Sequence, residues 1–112
     1  MSNATLTISI GRNVSEDNAD TLNPLCAVVK YGELDNSSWI LFGQDIIATI
    51  NATPDLVTTG RATWLGVGED TAVMAWYDVP PLTNYQLARL AIVRVSYGQD
   101  AIAVTYAHPA FI

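Results

Sequence analysis

The sequence is poor in the residues that most chemistries start from. It holds one cysteine, which cannot close an internal disulfide, so no disulfide scaffold exists. It holds one histidine, and Cys26 with His108 cannot complete the set of about four nitrogen or sulfur ligands that a structural zinc requires. No Asp-rich loop has calcium-ligand spacing, so neither a metal nor a cofactor is expected. Five Lys and Arg stand against eleven Asp and Glu, a net charge of -6, which excludes broad binding to nucleic-acid backbones. No apolar run approaches the roughly 20 residues that cross a bilayer, and no membrane partner is expected. Met1-Ser2-Asn3-Ala4-Thr5 lacks the basic and apolar stretches of a signal peptide, so a cytoplasmic location is the expectation.

What is present is apolar. Half of the 112 residues are hydrophobic, enough to offset the entropy of ordering one domain, and disorder is excluded. Only 14% are charged, against about 25% in typical soluble domains. One small core cannot hide so much apolar surface, which points to self-association, with a homodimer as the expected form. The plainer alternative is a monomer surfaced by Ser, Thr and Asn.

Patterning supplies the elements. Thr5–Ile10 alternates, with Leu6, Ile8 and Ile10 on one side, as a half-buried strand does. Residues 14–34 form a polar loop or insertion, within which Leu25–Tyr31 is an apolar run of undecided type. Asp35-Asn36-Ser37-Ser38 offers N-caps to a helix whose Trp39, Phe42, Ile46 and Ile50 share one face. A hairpin over 39–50, turning on Gly43-Gln44-Asp45, is the rival, favoured by the β-branched Ile46–Ile50 run. Val57–Leu65 reads as a strand with Gly60 a candidate bulge, and Gly66–Asp70 as a tight turn. Thr71–Val79 alternates with both faces apolar, the mark of a central strand or of one that meets a partner. After Pro80-Pro81, Thr83 or Asn84 caps a second helix over Tyr85–Tyr97, with Leu87, Leu90, Ala91 and Val95 on its apolar face. Ile92 and Val93 lie off that face and hint at a contact. Gly98 stands where a left-handed residue ends a helix, and Ala101–Tyr106 is the last strand.

The order predicts an α+β domain of ferredoxin-like βαββαβ pattern, with an antiparallel sheet, two helices on one face and an insertion after the first strand. The bare sheet face is then the natural site for dimerisation or ligand binding. Ile8-Ser9-Ile10-Gly11-Arg12-Asn13, Trp39-x-x-Phe42, Trp64-x-Gly66-x-Gly68-Glu69 and Tyr97-Gly98-Gln99-Asp100-Ala101-Ile102-Ala103 together resemble a group of small uncharacterised phage and prophage proteins. The likeness covers most of the chain outside residues 14–34. It implies the same fold and a viral accessory role in the host cytoplasm, and it supplies no reaction.

No catalytic set stands out. His108 precedes Pro109 near the chain end, where a solvent-exposed side chain is expected. Cys26 sits in an apolar run and reads as a small buried hydrophobe. In Gly66–Asp70 the adjacent acids would repel a phosphate. The ligand-binding candidates are polar residues near aromatics: Arg12, Asn13, Trp64, Glu69, Gln99 and Asp100. Arg12 could hold an anion bidentately and Trp64 could stack on a ring. With antiparallel strands, the end of the first strand and the start of the fourth are expected at opposite ends of the sheet, which leaves the six unassembled. The leading expectation is a non-enzymatic acidic protein that binds, and inhibits, a host protein through charge complementarity. Alternatives are a homo-oligomer that sequesters a nucleotide-like ligand, and a small dimeric enzyme using Glu69, Asp100 or His108 as general base.

Overall fold

The computed structural model describes residues 3–28, 32–64, 66–108 and 110, with Trp64 described by its backbone alone. Four strands and two α-helices follow one another as β1 (Ala4–Gly11), α1 (Asn36–Ile50), β2 (Leu56–Trp64), β3 (Val67–Val79), α2 (Asn84–Ser96) and β4 (Ala103–Ala107). A short 3-10 helix, Glu16–Thr21, lies between β1 and α1. The strands form one sheet in the order β2-β3-β1-β4, antiparallel at each pairing. The architecture is α+β.

Alternation in β1 sends Ala4, Leu6, Ile8 and Ile10 into the interior, and β3 sends Ala72, Met74 and Trp76 to the same side. Phe42, Ile46 and Ile50 of α1 and Leu90 and Val93 of α2 join them in one hydrophobic cluster. Both helices therefore cover one sheet face. Each large side chain buried there contributes about 1.5–3 kcal/mol relative to exposure.

The 39–50 segment is a helix, not a hairpin. The Asp35 side chain accepts the Ser38 N–H at 2.8 Å, and that backbone hydrogen bond holds the Asp35 carboxyl below the usual carboxylate range. Asn51, left-handed at φ 60°, ends the helix. α2 opens on a capping box between Thr83 and Gln86. Its inward stripe is Leu90, Val93 and the following Tyr97, while Leu87 and Ile92 are exposed. Val93 is thus core, a correction to the expected face. Leu90, Val93 and Tyr97 are spaced by three and four just as the expected set is, and packing on the sheet decides between the stripes.

Two turns differ from expectation. β3 starts at Val67, paired with Trp64, so the connection is tight and Gly68–Asp70 are strand. Gly66 takes φ 81°, which that tight connection needs. The β2–β3 register runs unbroken through Gly60↔Thr71, so Gly60 is no bulge. In the expected insertion, isolated bridges join Asn13 to Glu33 and Val28 to Leu34. Val29, Lys30 and Tyr31 of the undecided run, Leu65 of the expected β2 and Pro109 lie outside the described residues.

The second sheet face carries no helix. Alternation places Thr5, Thr7 and Ser9 of β1 beside Val73, Ala75 and Tyr77 of β3 on that face. Leu56, Thr58, Gly60 and Ala62 of β2 and Ala103, Thr105 and Ala107 of β4 lie on it too, as do Gly11 of β1 and Val67, Glu69 and Thr71 of β3. Glu69 of β3, paired with Ala62, is a charged residue on the same face. No helix among the described residues is long and apolar enough to cross a membrane.

Candidate functional site at one end of the sheet

Antiparallel pairing brings the end of each strand to the start of its neighbour. Ser9 of β1 is paired with Ala103 of β4, and Gly11 with Thr71 of β3. The end of β1 and the start of β4 therefore lie at the same end of the sheet, which corrects the expectation that they lie apart. Asn13, Glu69, Gln99 and Asp100 come together there, around an open cleft of ≈ 400 Å³ that Gly11, Ser15 and Val67 also line.

Glu69 reaches back over β1, where its Oε1 accepts the Asn13 backbone N–H at 2.8 Å. A Cβ on residue 11 would overlap that carboxylate, so Gly11 is what lets Glu69 lie down on the strand. The Asn13 side chain donates to the Gly68 carbonyl at 3.2 Å. Gln99, 5% exposed, donates through Nε2 to the carbonyls of Asn13 and Tyr97, both at 3.0 Å. The Gln99 backbone carbonyl accepts from Arg94 Nη1 at 2.9 Å. Gln99 is thus a strut between β1 and the end of α2. Asp100 is exposed, and its Oδ1 accepts from Asn18 of the 3-10 helix at 2.7 Å.

Arg12 faces elsewhere. Its Nε donates to the Leu34 carbonyl at 2.6 Å, Nη1 to Asp70 at 3.1 Å and Nη2 to Asn36 at 2.8 Å. With 13% of its side chain exposed, it ties β1 to the start of α1 and does not line the cleft. Asp70 also accepts from Arg61 at 2.5 Å. The Trp64 side chain lies outside the described residues, so stacking on it has no geometry here.

The 3-10 helix falls within the expected polar loop. Glu16, Asp17 and Asp20 fall on it, and it is fastened to the end of α2 and the turn that follows. Ser15 N–H donates to the Gly98 carbonyl at 2.9 Å, Thr21 Oγ1 to Val95 at 2.9 Å and Asn23 N–H to Ser96 at 2.7 Å. These three acids therefore stand beside Asp100 and Glu69 at one end of the molecule. The signal for them was three acids within five residues, which local patterning places in a loop but not in space. The cleft itself is lined by Glu69 and Asp100, which suits ammonium or guanidinium groups and opposes phosphate.

His108 is exposed, and Cys26 is half-buried against the core. Burial pushes the Cys26 thiol up, which disfavours the reactive thiolate. Among the described residues no group of three or more His, Cys, Asp or Glu is placed to hold a metal ion. No protein-family model matches the chain, and neither a curated protein nor a solved structure matches it.

Proposed function

We propose that this chain is a non-enzymatic interaction protein of ferredoxin-like build, and that its acidic end binds a basic surface on a host protein and inhibits that protein by covering it. The observation that carries this reading is the grouping of Glu16, Asp17, Asp20, Glu69 and Asp100 at one end, while Arg12 is turned inward against Leu34, Asp70 and Asn36. Charge of one sign, concentrated on one end of a molecule with net charge -6, speeds encounter with a partner of the opposite sign. The phage-like segments support a host-cell cytoplasmic setting. The strand order β2-β3-β1-β4, with β1 and β3 central and both helices on one face, supports the ferredoxin-like description.

The test is capture from host lysate at micromolar protein, with the wild-type chain beside the triple variant Glu16→Lys, Asp17→Lys, Asp20→Lys. These side chains make no buried contacts, so the variant keeps the fold. The wild type is expected to retain a basic protein that the variant loses and that moderate salt releases. Equal capture by both, or none by either, removes the reading.

A further inference from the structure

We propose that the cleft at the acidic end is a pocket for a primary ammonium on an alkyl chain, and that it takes one lysine side chain of the partner protein. The lysine source rests on the function proposed above for this end, whereas the pocket rests on its own geometry. Glu69, Gln99 and Asp100 line it with hydrogen-bond acceptors. Gln99 carries the assignment. It is 5% exposed, and its Nε2 gives its protons to the carbonyls of Asn13 and Tyr97. Those two acceptors fix which end of the amide is nitrogen, so Oε1 is turned away from them and receives no donor from the described residues. Among the described residues no buried side-chain oxygen lacks a partner, so Oε1 keeps an opening, and the cleft that Gln99 lines is that opening. An acceptor so nearly buried is costly to leave unpaired, and a donor entering the cleft satisfies it.

The carboxylates narrow the donor. Glu69 Oε1 is taken by the Asn13 N–H and Asp100 Oδ1 by the Asn18 side chain, so each acid offers its second oxygen alone. A guanidinium docks best on both oxygens of one carboxylate, a fork that neither acid leaves free. Glu69 Oε2, Asp100 Oδ2 and Gln99 Oε1 are three single acceptors, which match in number the three N–H donors of an ammonium.

Charge and lining agree with that donor. No Lys or Arg lines the cleft, and among the described residues neither Glu69 nor Asp100 is in an ion pair. Arg12 and Arg61 both bond to Asp70, which alternation places on the other side of β3 from Glu69. An entering cation therefore meets two carboxylates that no other cation neutralises. Val14, Val67 and Ala101 supply apolar wall, which suits the methylene stem that a lysine lays along apolar surface. At ≈ 400 Å³ the cleft stands at the small end of ligand pockets, sized for one side chain.

Amide-resolved NMR titration of the full chain at fixed ionic strength tests this, with n-butylammonium, methylguanidinium and N-acetyl-lysine amide as probes. n-Butylammonium is expected to saturate with a dissociation constant on the order of 1–10 mM, shifting the amides of Asn13, Ser15 and Asp100 and the side-chain amide of Gln99. N-acetyl-lysine amide is expected to bind at least as well, and methylguanidinium several-fold more weakly. Glu69→Gln with Asp100→Asn keeps the acceptors for Asn13 and Asn18 and is expected to weaken n-butylammonium by about tenfold or more. Asp78→Asn, which removes a charge near the other end of β3, is expected to leave binding unaltered. The pocket is overturned by a titration without saturation, by shifts spread evenly over the acidic surface, by equal binding of methylguanidinium, or by a double variant that binds as the wild type does. Binding of n-butylammonium without N-acetyl-lysine amide overturns the lysine source in favour of a free amine. Glu16, Asp17 and Asp20 do not line the cleft, so the triple variant used for lysate capture is expected to keep its response to n-butylammonium. Failed capture therefore leaves the pocket standing, and a failed titration leaves the capture result standing.

Discussion

Gly11 and Glu69 occupy adjoining space so closely that no residue with a Cβ fits at position 11 while the Glu69 carboxylate keeps its bond to the Asn13 N–H. The missing side chain on β1 and the acid on β3 are one structural unit at the mouth of the cleft. Gly11→Ala is expected to expel the carboxylate and cost about 1–3 kcal/mol, the range for leaving a partly buried donor without its partner. Glu69→Ala alone removes the same bond. In the Glu69→Ala background, adding Gly11→Ala should therefore cost much less than in the wild type. Denaturant midpoints of the four proteins measure this coupling, and additive losses would contradict the relationship.

Tyr97 supplies a pH dependence. Its ring stacks on Phe42 at 4.6 Å with 6° between the planes, and its hydroxyl donates to Asp45 Oδ2 at 2.5 Å. Burial first, and then the Asp45 hydrogen bond, push the phenol well above its ordinary value of 10.0. A phenol whose ionisation is raised by folding stabilises the fold fully below the unfolded value. That contribution is lost as the pH climbs from about 10 towards the folded value, because only the unfolded chain releases the proton there. Tyr97→Phe is expected to cost about 1 kcal/mol at neutral pH. Its stability should fall less steeply than that of the wild type above pH 10. Thermal melts across the alkaline range compare the two slopes, and parallel curves would rule the linkage out.

The legible parts of the sequence were those where one local signal suffices. Alternation in β1 and in the second half of β3 depends only on which side meets the core, and the Asp35 and Thr83 caps depend only on the backbone that follows them. The inward stripe of α2 was less legible because Leu87, Leu90, Val93 and Val95 offer overlapping faces, and the choice lies in contacts with α1 and the sheet. The cleft was hidden for another reason. Asn13, Glu69, Gln99 and Asp100 were all singled out as residues, yet their assembly is a property of strand order and direction, which no window of sequence contains. Arg12 shows the converse. It has the chemistry of an anion clamp, but its hydrogen bonds are directed to Leu34, Asp70 and Asn36.

Gly66 and Gly98 both hold positive φ, 81° and 64°, but their surroundings separate two costs that usually come together. Around Gly66 an added Cβ meets nothing within 4 Å, so Gly66→Ala carries the backbone penalty alone, about 1 kcal/mol. At Gly98 the added Cβ lies 2.7 Å from Val14 Cγ1, with the Asn18 carbonyl at 3.5 Å and Leu22 Cδ1 at 3.6 Å. Gly98→Ala should therefore carry the same backbone penalty and also displace the segment that holds the 3-10 helix against α2. A total of about 2–4 kcal/mol is expected, adding the overpacking range to the backbone term. Val14→Ala removes the nearest obstacle, so it should restore part of the loss in Gly98→Ala while leaving Gly66→Ala unchanged. Equal destabilisation by the two glycine variants would mean that Val14 and the 3-10 helix yield without cost, and the acidic end would then be loosely attached to the rest of the fold.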